Sequence, residues 1–181
     1  EAEAAAVDAP GCAPNVEALR QAQPKDLDAS EIEVRLGATW IDEWYIQQFM
    51  EQTFHPPYNR KNPIQVNYSP STAEWNISGK STPSKQDVNA YMTYGTERAN
   101  AYRILEDTLN LRDVRIYDTV YDADGTERRV LNSKETTLAQ QKQQAIKDAF
   151  QEWIWRDPNR RQTLVQQYNC LLYTSDAADE E

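Results

Sequence analysis

Residues Val114–Arg156, VRIYDTVYDADGTERRVLNSKETTLAQQKQQAIKDAFQEWIWR, change their hydrophobic period once, and that change decides the fold class. In the first half, Val114, Ile116, Asp118 and Val120 alternate with Arg115, Tyr117, Thr119 and Tyr121, the pattern of a half-buried strand. Asp124-Gly125 supplies a turn, and Val130-Leu131 closes a hairpin. The period then lengthens. Asn132 followed by Glu135 reads as a capping box opening a helix over about Ser133–Arg156. Leu138, Ala145, Ile146, Ala149, Phe150, Trp153 and Ile154 trace its expected buried stripe, with the stem of Lys142 at the edge. A hairpin followed by an amphipathic helix points to an α+β domain.

Working outward, Asp157 ends the long helix and Pro158 opens a last one, predicted to run to Tyr168. Upstream, Ala101, Tyr102, Leu105 and Leu109 share one face of a helix predicted over Glu97–Leu109. From Lys85 the chain is helix-compatible, with a break at Gly95. Ile64, Val66 and Tyr68, a turn at Ser69–Thr72, then Ala73, Trp75 and Ile77 predict a further hairpin. Asp42 caps a helix through Thr53, with Tyr45, Ile46, Phe49, Met50 and Phe54 on one face. At Ile32, Val34 and Leu36 the alternation suits a strand, while Ser30 with Glu33 fits a helical turn; both readings stay open. The expected architecture is two hairpins packed with three to four helices over residues 28–169. Residues 1–27 read as a disordered tether with a short helix at Asn15–Gln23, and 170–181 as a disordered tail.

Five Trp, ten Tyr and three Phe in 181 residues are enough to build a core. No window approaches the roughly 18 apolar residues of a membrane span. Cys12 and Cys170 lie near opposite ends, a usage read as incidental thiols of a cytoplasmic chain rather than a disulfide. The net charge of −10 opposes nucleic-acid binding, but it is unevenly placed. Residues 1–30 and 170–181 carry −4 each, which leaves −2 for 31–169.

Signatures of chemistry fail one by one. His55-Pro56-Pro57-Tyr58 resembles the amine-binding Asn/Asp-Pro-Pro-Tyr loop of amino-methyltransferases, but His55 lacks the carbonyl acceptor, and a loop that stops the preceding helix is expected. A single histidine leaves no multi-His metal site and restricts any Ser-His-Asp triad to His55. Asp118, Asp122 and Asp124 resemble part of a calcium loop without its bidentate Glu, so a hairpin turn is expected. No phosphate-binding glycine motif occurs. The reading therefore assigns no catalytic residue and no metal ligand.

A binding surface remains. Arg112, Arg115, Arg128 and Arg129 surround the second hairpin near Tyr117 and Tyr121, and Arg156, Arg160 and Arg161 follow the long helix beside Trp153 and Trp155. Arginines contact phosphates and aromatics stack on unpaired bases. The plainer expectation pairs those arginines with Asp113, Asp118, Glu127 and Asp157 and puts the aromatics in the core. Trp40, Trp44, Trp75 and Trp153/Trp155 are expected mostly to build that core.

Several stretches carry a resemblance: Leu27–Ile41 (LDASEIEVRLGATWI), Tyr94–Tyr102 (YGTERANAY), Leu109–Val114 (LNLRDV), Lys134-Glu135-Thr136 and Ala139-Gln140-Gln141-Lys142. Over about Asn15–Asn169 the chain resembles the large fusions of an N6-adenine DNA methylase with a DEAD/DEAH-type helicase, carried by bacterial conjugative elements and phages. The resembling segment lies between the two motors. Such a parent uses S-adenosylmethionine and ATP with Mg; neither active site maps onto residues of this chain. After Asn169 the sequence departs from the family, and Cys170–Glu180 resembles a translated sequencing adapter, so a truncated read-through is expected. The resulting expectation is a non-catalytic connector that contacts DNA and its neighbouring methylase and helicase domains. The alternative is a scaffold between catalytic domains without DNA contact.

Overall fold

A computed structural model describes the backbone of residues 25–178 and the side chains of 25–174. In chain order the elements are α1 (Glu43–Phe54), β1 (Gln65–Ser69), β2 (Glu74–Ser78), a π-helix (Asn89–Thr93), α2 (Ala101–Leu109), β3 (Tyr117–Tyr121), β4 (Glu127–Leu131), α3 (Ser133–Arg156) and α4 (Pro158–Ala178). The chain is α+β, as the change of period predicts. Two compact units divide it: one is Val34–Arg160, and the other holds the described parts of Glu1–Glu33 and Arg161–Glu181.

The starts of α1, α2 and α3 are each set by a short polar side chain. Asp42 accepts from the backbone N–H of Trp44, Asn100 from Arg103 and Asn132 from Glu135. Only half of the Asn132 capping box forms, because the Asn132 N–H donates to the Ile116 carbonyl at 2.8 Å instead of to Glu135. Helix α1 ends where His55 turns left-handed (φ 51) ahead of Pro56-Pro57, so the loop terminates a helix. α2 starts at Ala101, later than Glu97, because Thr96 and Ala99 close a tight loop: the Thr96 N–H donates to the Ala99 carbonyl at 2.7 Å.

The core of this unit is aromatic. Phe49 meets Phe150 at 5.2 Å and Trp153 at 5.6 Å, and Phe54 meets Tyr102 at 5.6 Å, all edge-on, an arrangement that adds to simple burial. Trp75 and Trp153 are buried as expected, whereas Trp44 is 56% exposed.

Both sheets have two strands, and the first avoids free edges through helix side chains. On the β1 edge, Gln47 Oε1 accepts from Val66 N at 2.8 Å and Glu43 Oε2 from Tyr68 N at 2.9 Å. Along β2, Asn110 Oδ1 takes Trp75 N at 2.9 Å and Glu106 Oε2 takes Ile77 N at 2.7 Å. Backbone donors on both edges are thus satisfied without a third strand.

The same device corrects two expectations. Val114 and Ile116 are buried as the alternation predicts, yet they lie ahead of β3. Their backbone groups are taken by α3 side chains: Thr136 Oγ1 accepts from Ile116 N at 3.0 Å, and Gln143 Oε1 from Val114 N at 3.4 Å. The α3 stripe therefore runs through Thr136, Ala139, Gln143, Ile146, Phe150, Trp153 and Ile154, and Leu138 is exposed. Ile32, Val34 and Leu36 are buried on alternate positions, but the segment pairs with no strand. Neither the strand nor the capping box forms there; Glu31 Oε2 accepts from Asp28 N and Asp28 Oδ1 from Ser30 N.

In the smaller unit, Asn169 on α4 holds both backbone groups of Leu27 at 2.9 Å, and the Tyr173 hydroxyl donates to Asp26 at 2.5 Å. α4 continues past Tyr168 to Ala178, so the stretch predicted as a disordered tail is helical as far as Ala178. Most of the tether, including the predicted helix at Asn15–Gln23, lies outside the described residues. Cys170 is an exposed free thiol. Among the described residues, no helix is long and apolar enough to cross a membrane.

Candidate nucleic-acid interface

Register separates the hairpin arginines. Arg128 stands opposite Val120 and Arg129 opposite Thr119, and successive strand residues point to opposite faces. The Arg129 guanidinium lies over the Tyr117 ring, 4.8 Å from its centroid, while Arg128 faces Asp122 at 3.6 Å. Hairpin residues 117–131 also hold Asp118, Asp122, Asp124 and Glu127, a balance of two positive against four negative charges. Hydrogen bonds from Arg98 and Asn132 hold the Asp118 carboxyl below its ordinary range, and the Thr126 N–H does the same for Asp124. Asp122 N–H donates to Thr126 O, which completes a turn around Gly125 (φ 83) and accounts for these acids without a cation. A hairpin of net negative charge repels phosphates.

At the end of α3, Arg156 pairs with Glu152 one turn back. Arg160 packs its guanidinium 3.6 Å from the centre of the Trp153 ring, and donates to the carbonyls of Ile154 (2.9 Å) and Trp153. Burial lowers its pKa, opposed by Asp157 and Tyr45. Arg160 therefore caps α3, which engages its Nε and Nη2. Trp153 is equally committed, donating from Nε1 to Gln52 at 2.8 Å. Arg115 and Arg161 are exposed.

Of the seven sequence candidates, Arg112 joins other cations in a cleft among the described residues. Leu111 adopts φ 57 just after α2, and Arg112 then lines a cleft of about 290 Å³ with Arg35 and Lys147. Gln144, Gln151 and Asp113 complete much of its wall. Arg112 also pairs with Glu74 at 2.8 Å, both side chains being more than half exposed, a contact that solvent and salt weaken. Sequence reasoning misses Arg35 and Lys147. Alternation carries a signal for Arg35: with Val34 and Leu36 buried, it must face outward. Lys147 follows Gln143 by one helical turn on α3.

The loop Pro56-Pro57-Tyr58 borders a shallow groove with Gln47, Glu51 and Arg60, and Tyr58 is 86% exposed. Among the described residues, no group of three or more His, Cys, Asp or Glu is placed to hold a metal ion.

A family model matches residues 35–172, most of the chain. The chain belongs to the DUF8437 family, described as a domain of unknown function. No curated protein and no solved structure matches it. The DUF8437 match takes in both hairpins, α1 to α3, and all three cations of the Arg35/Arg112/Lys147 cleft.

Proposed function

We propose that this DUF8437 chain is a non-catalytic, DNA-contacting connector of a cytoplasmic DNA methylase–helicase fusion. The convergence of Arg35, Arg112 and Lys147 on one cleft, in a chain of net charge −10, carries this reading. Guanidinium and ammonium groups neutralise backbone phosphates, and glutamine amides beside them hydrogen-bond phosphate or sugar oxygens. The sequence resemblance to methylase–helicase fusions supplies the context. In it, S-adenosylmethionine and ATP with Mg are bound by flanking domains rather than by residues 28–169.

Fluorescence anisotropy of labelled duplex and single-stranded DNA at low salt tests the proposal. Binding by the wild type, weakened in the Arg35→Gln/Lys147→Gln double variant, supports it; no binding of either DNA rules it out.

A scaffold role between domains, without DNA contact, is favoured by one observation. The β3–β4 hairpin exposes Val120 and Val130 on one face and Tyr121 and Leu131 on the other, apolar pairs that a protein neighbour would cover. DNA binding that survives replacement of Val120 and Val130 by Thr separates the two roles.

A further inference from the structure

A second cluster of cations lies where no sequence motif points. Lys80, Lys85, Arg98 and Arg103 line one cleft of about 230 Å³, with Ser81, Tyr91, Glu97 and Asn100. They come from three places: the loop after β2, the loop before α2, and α2 itself. Two of the four are engaged. Lys80 bonds Glu106 at 2.6 Å, and Arg98 bonds Asp118 at 2.8 Å and the Tyr117 carbonyl at 2.9 Å. Lys85 and Arg103 are exposed and have no ion-pair partner among the described residues.

The surroundings of the cleft are fixed rather than loose. Tyr91 belongs to the π-helix, a geometry rare in proteins and concentrated at functional sites. That π-helix is held at its end by Lys142, whose Nζ donates to the carbonyls of Met92 (2.7 Å) and Thr93 (3.2 Å). Gly95 closes it from the other side, since a Cβ there would lie 2.0 Å from the Ala90 carbonyl oxygen. Asn100 Nδ2 donates to the Lys80 carbonyl at 2.7 Å and so fixes the lysine's backbone at the rim.

We infer that this cleft binds a phosphomonoester group. The two cations without ion-pair partners bring two positive charges, and a phosphomonoester carries about −1.5 to −2 at neutral pH, whereas an internal phosphodiester carries one negative charge. The engaged pair, Lys80 and Arg98, adds donors already oriented by their carboxylates, and Ser81, Tyr91 and Asn100 add neutral polar groups. Glu97 at the same cleft opposes the ligand and limits affinity. Either a nucleic-acid 5′ end or a free nucleotide presents this chemistry. The inference does not depend on the Arg35/Arg112/Lys147 cleft.

Calorimetric titration of the full chain with inorganic phosphate, a nucleoside monophosphate, and a short single strand bearing either a 5′-phosphate or a 5′-hydroxyl tests it. Inorganic phosphate is expected to bind, and the nucleoside monophosphate to bind more weakly as the pH falls through about 6, where a phosphomonoester dianion protonates. Lys85→Gln and Arg103→Gln should each weaken binding about tenfold, and Glu97→Gln should tighten it. Folding of these exposed variants is checked by an unchanged urea midpoint. A 5′-phosphate preference assigns the site to strand ends; equal affinity for both strands with retained monophosphate binding assigns it to nucleotides. No phosphate binding, or binding indifferent to Lys85 and Arg103, overturns the site. The 5′-hydroxyl strand reports separately on DNA binding elsewhere, so the two readings fail independently.

Discussion

Asn110 holds both backbone groups of Trp75: its Oδ1 accepts from Trp75 N at 2.9 Å and its Nδ2 donates to Trp75 O at 2.8 Å. One amide at the end of α2 thus does the work of a neighbouring strand. Replacing Asn110 by Ala leaves the N–H and C=O of a buried strand residue without partners, which should cost about 2–3 kcal/mol. Urea unfolding measures this; a change below about 0.5 kcal/mol would mean that water replaces the amide.

Gly95 and Gly125 should respond to Ala for different reasons. At Gly95 the obstacle is backbone, the Ala90 carbonyl oxygen 2.0 Å from the added Cβ, so the π-helix must shift at a cost of about 2 kcal/mol or more. At Gly125 nothing lies within 4 Å, but φ is 83, so the left-handed strain alone costs about 1 kcal/mol. Thermal melts of both variants check the ranking, and equal losses would contradict it.

Tyr102 is fully buried, and its hydroxyl has no hydrogen-bond partner among the described residues. Tyr102→Phe removes an unsatisfied polar atom and should leave stability at pH 7 unchanged or raise it by up to about 1 kcal/mol. Burial, helped by Asp87, raises the phenol's pKa. A folded pKa above the unfolded value of about 10 means that stability is intact below pH 10 and falls as pH rises beyond it. The Phe variant should lose that part of the alkaline decline. Identical pH profiles between pH 9 and 11 would show that Tyr102 is not responsible.

Arg160 combines a stacked guanidinium with carbonyl capping of α3. Arg160→Ala should destabilise by about 1–2 kcal/mol, and Arg160→Lys should recover little, because an ammonium lacks the flat face and fork. Full recovery by Lys would reduce the contact to charge alone.

Local chemistry was legible and long-range chemistry was not. The caps at Asp42 and Asn132 and the period of α3 fix those helices from neighbours a few residues away. Gln143, by contrast, looks like a surface residue in any polarity pattern. It is buried because it donates to Thr108 Oγ1 and the Arg112 carbonyl while accepting from Val114. Arg128 and Arg129 look like a patch because they are adjacent, and adjacency in a strand is what sends them to opposite faces. Arg35, Arg112 and Lys147, which do share a cleft, lie far apart in the chain: before α1, just after α2 and on α3.

The most direct test of a DNA-contacting role is the salt dependence of duplex binding by the wild type and the Arg35→Gln/Lys147→Gln variant. Each phosphate neutralised contributes about −0.9 to the slope of log K against log salt. The wild type should therefore show a slope of about −2 to −3, and the variant one shallower by about 2. A slope that both proteins share, or binding that ignores salt, would contradict phosphate contact through this cleft.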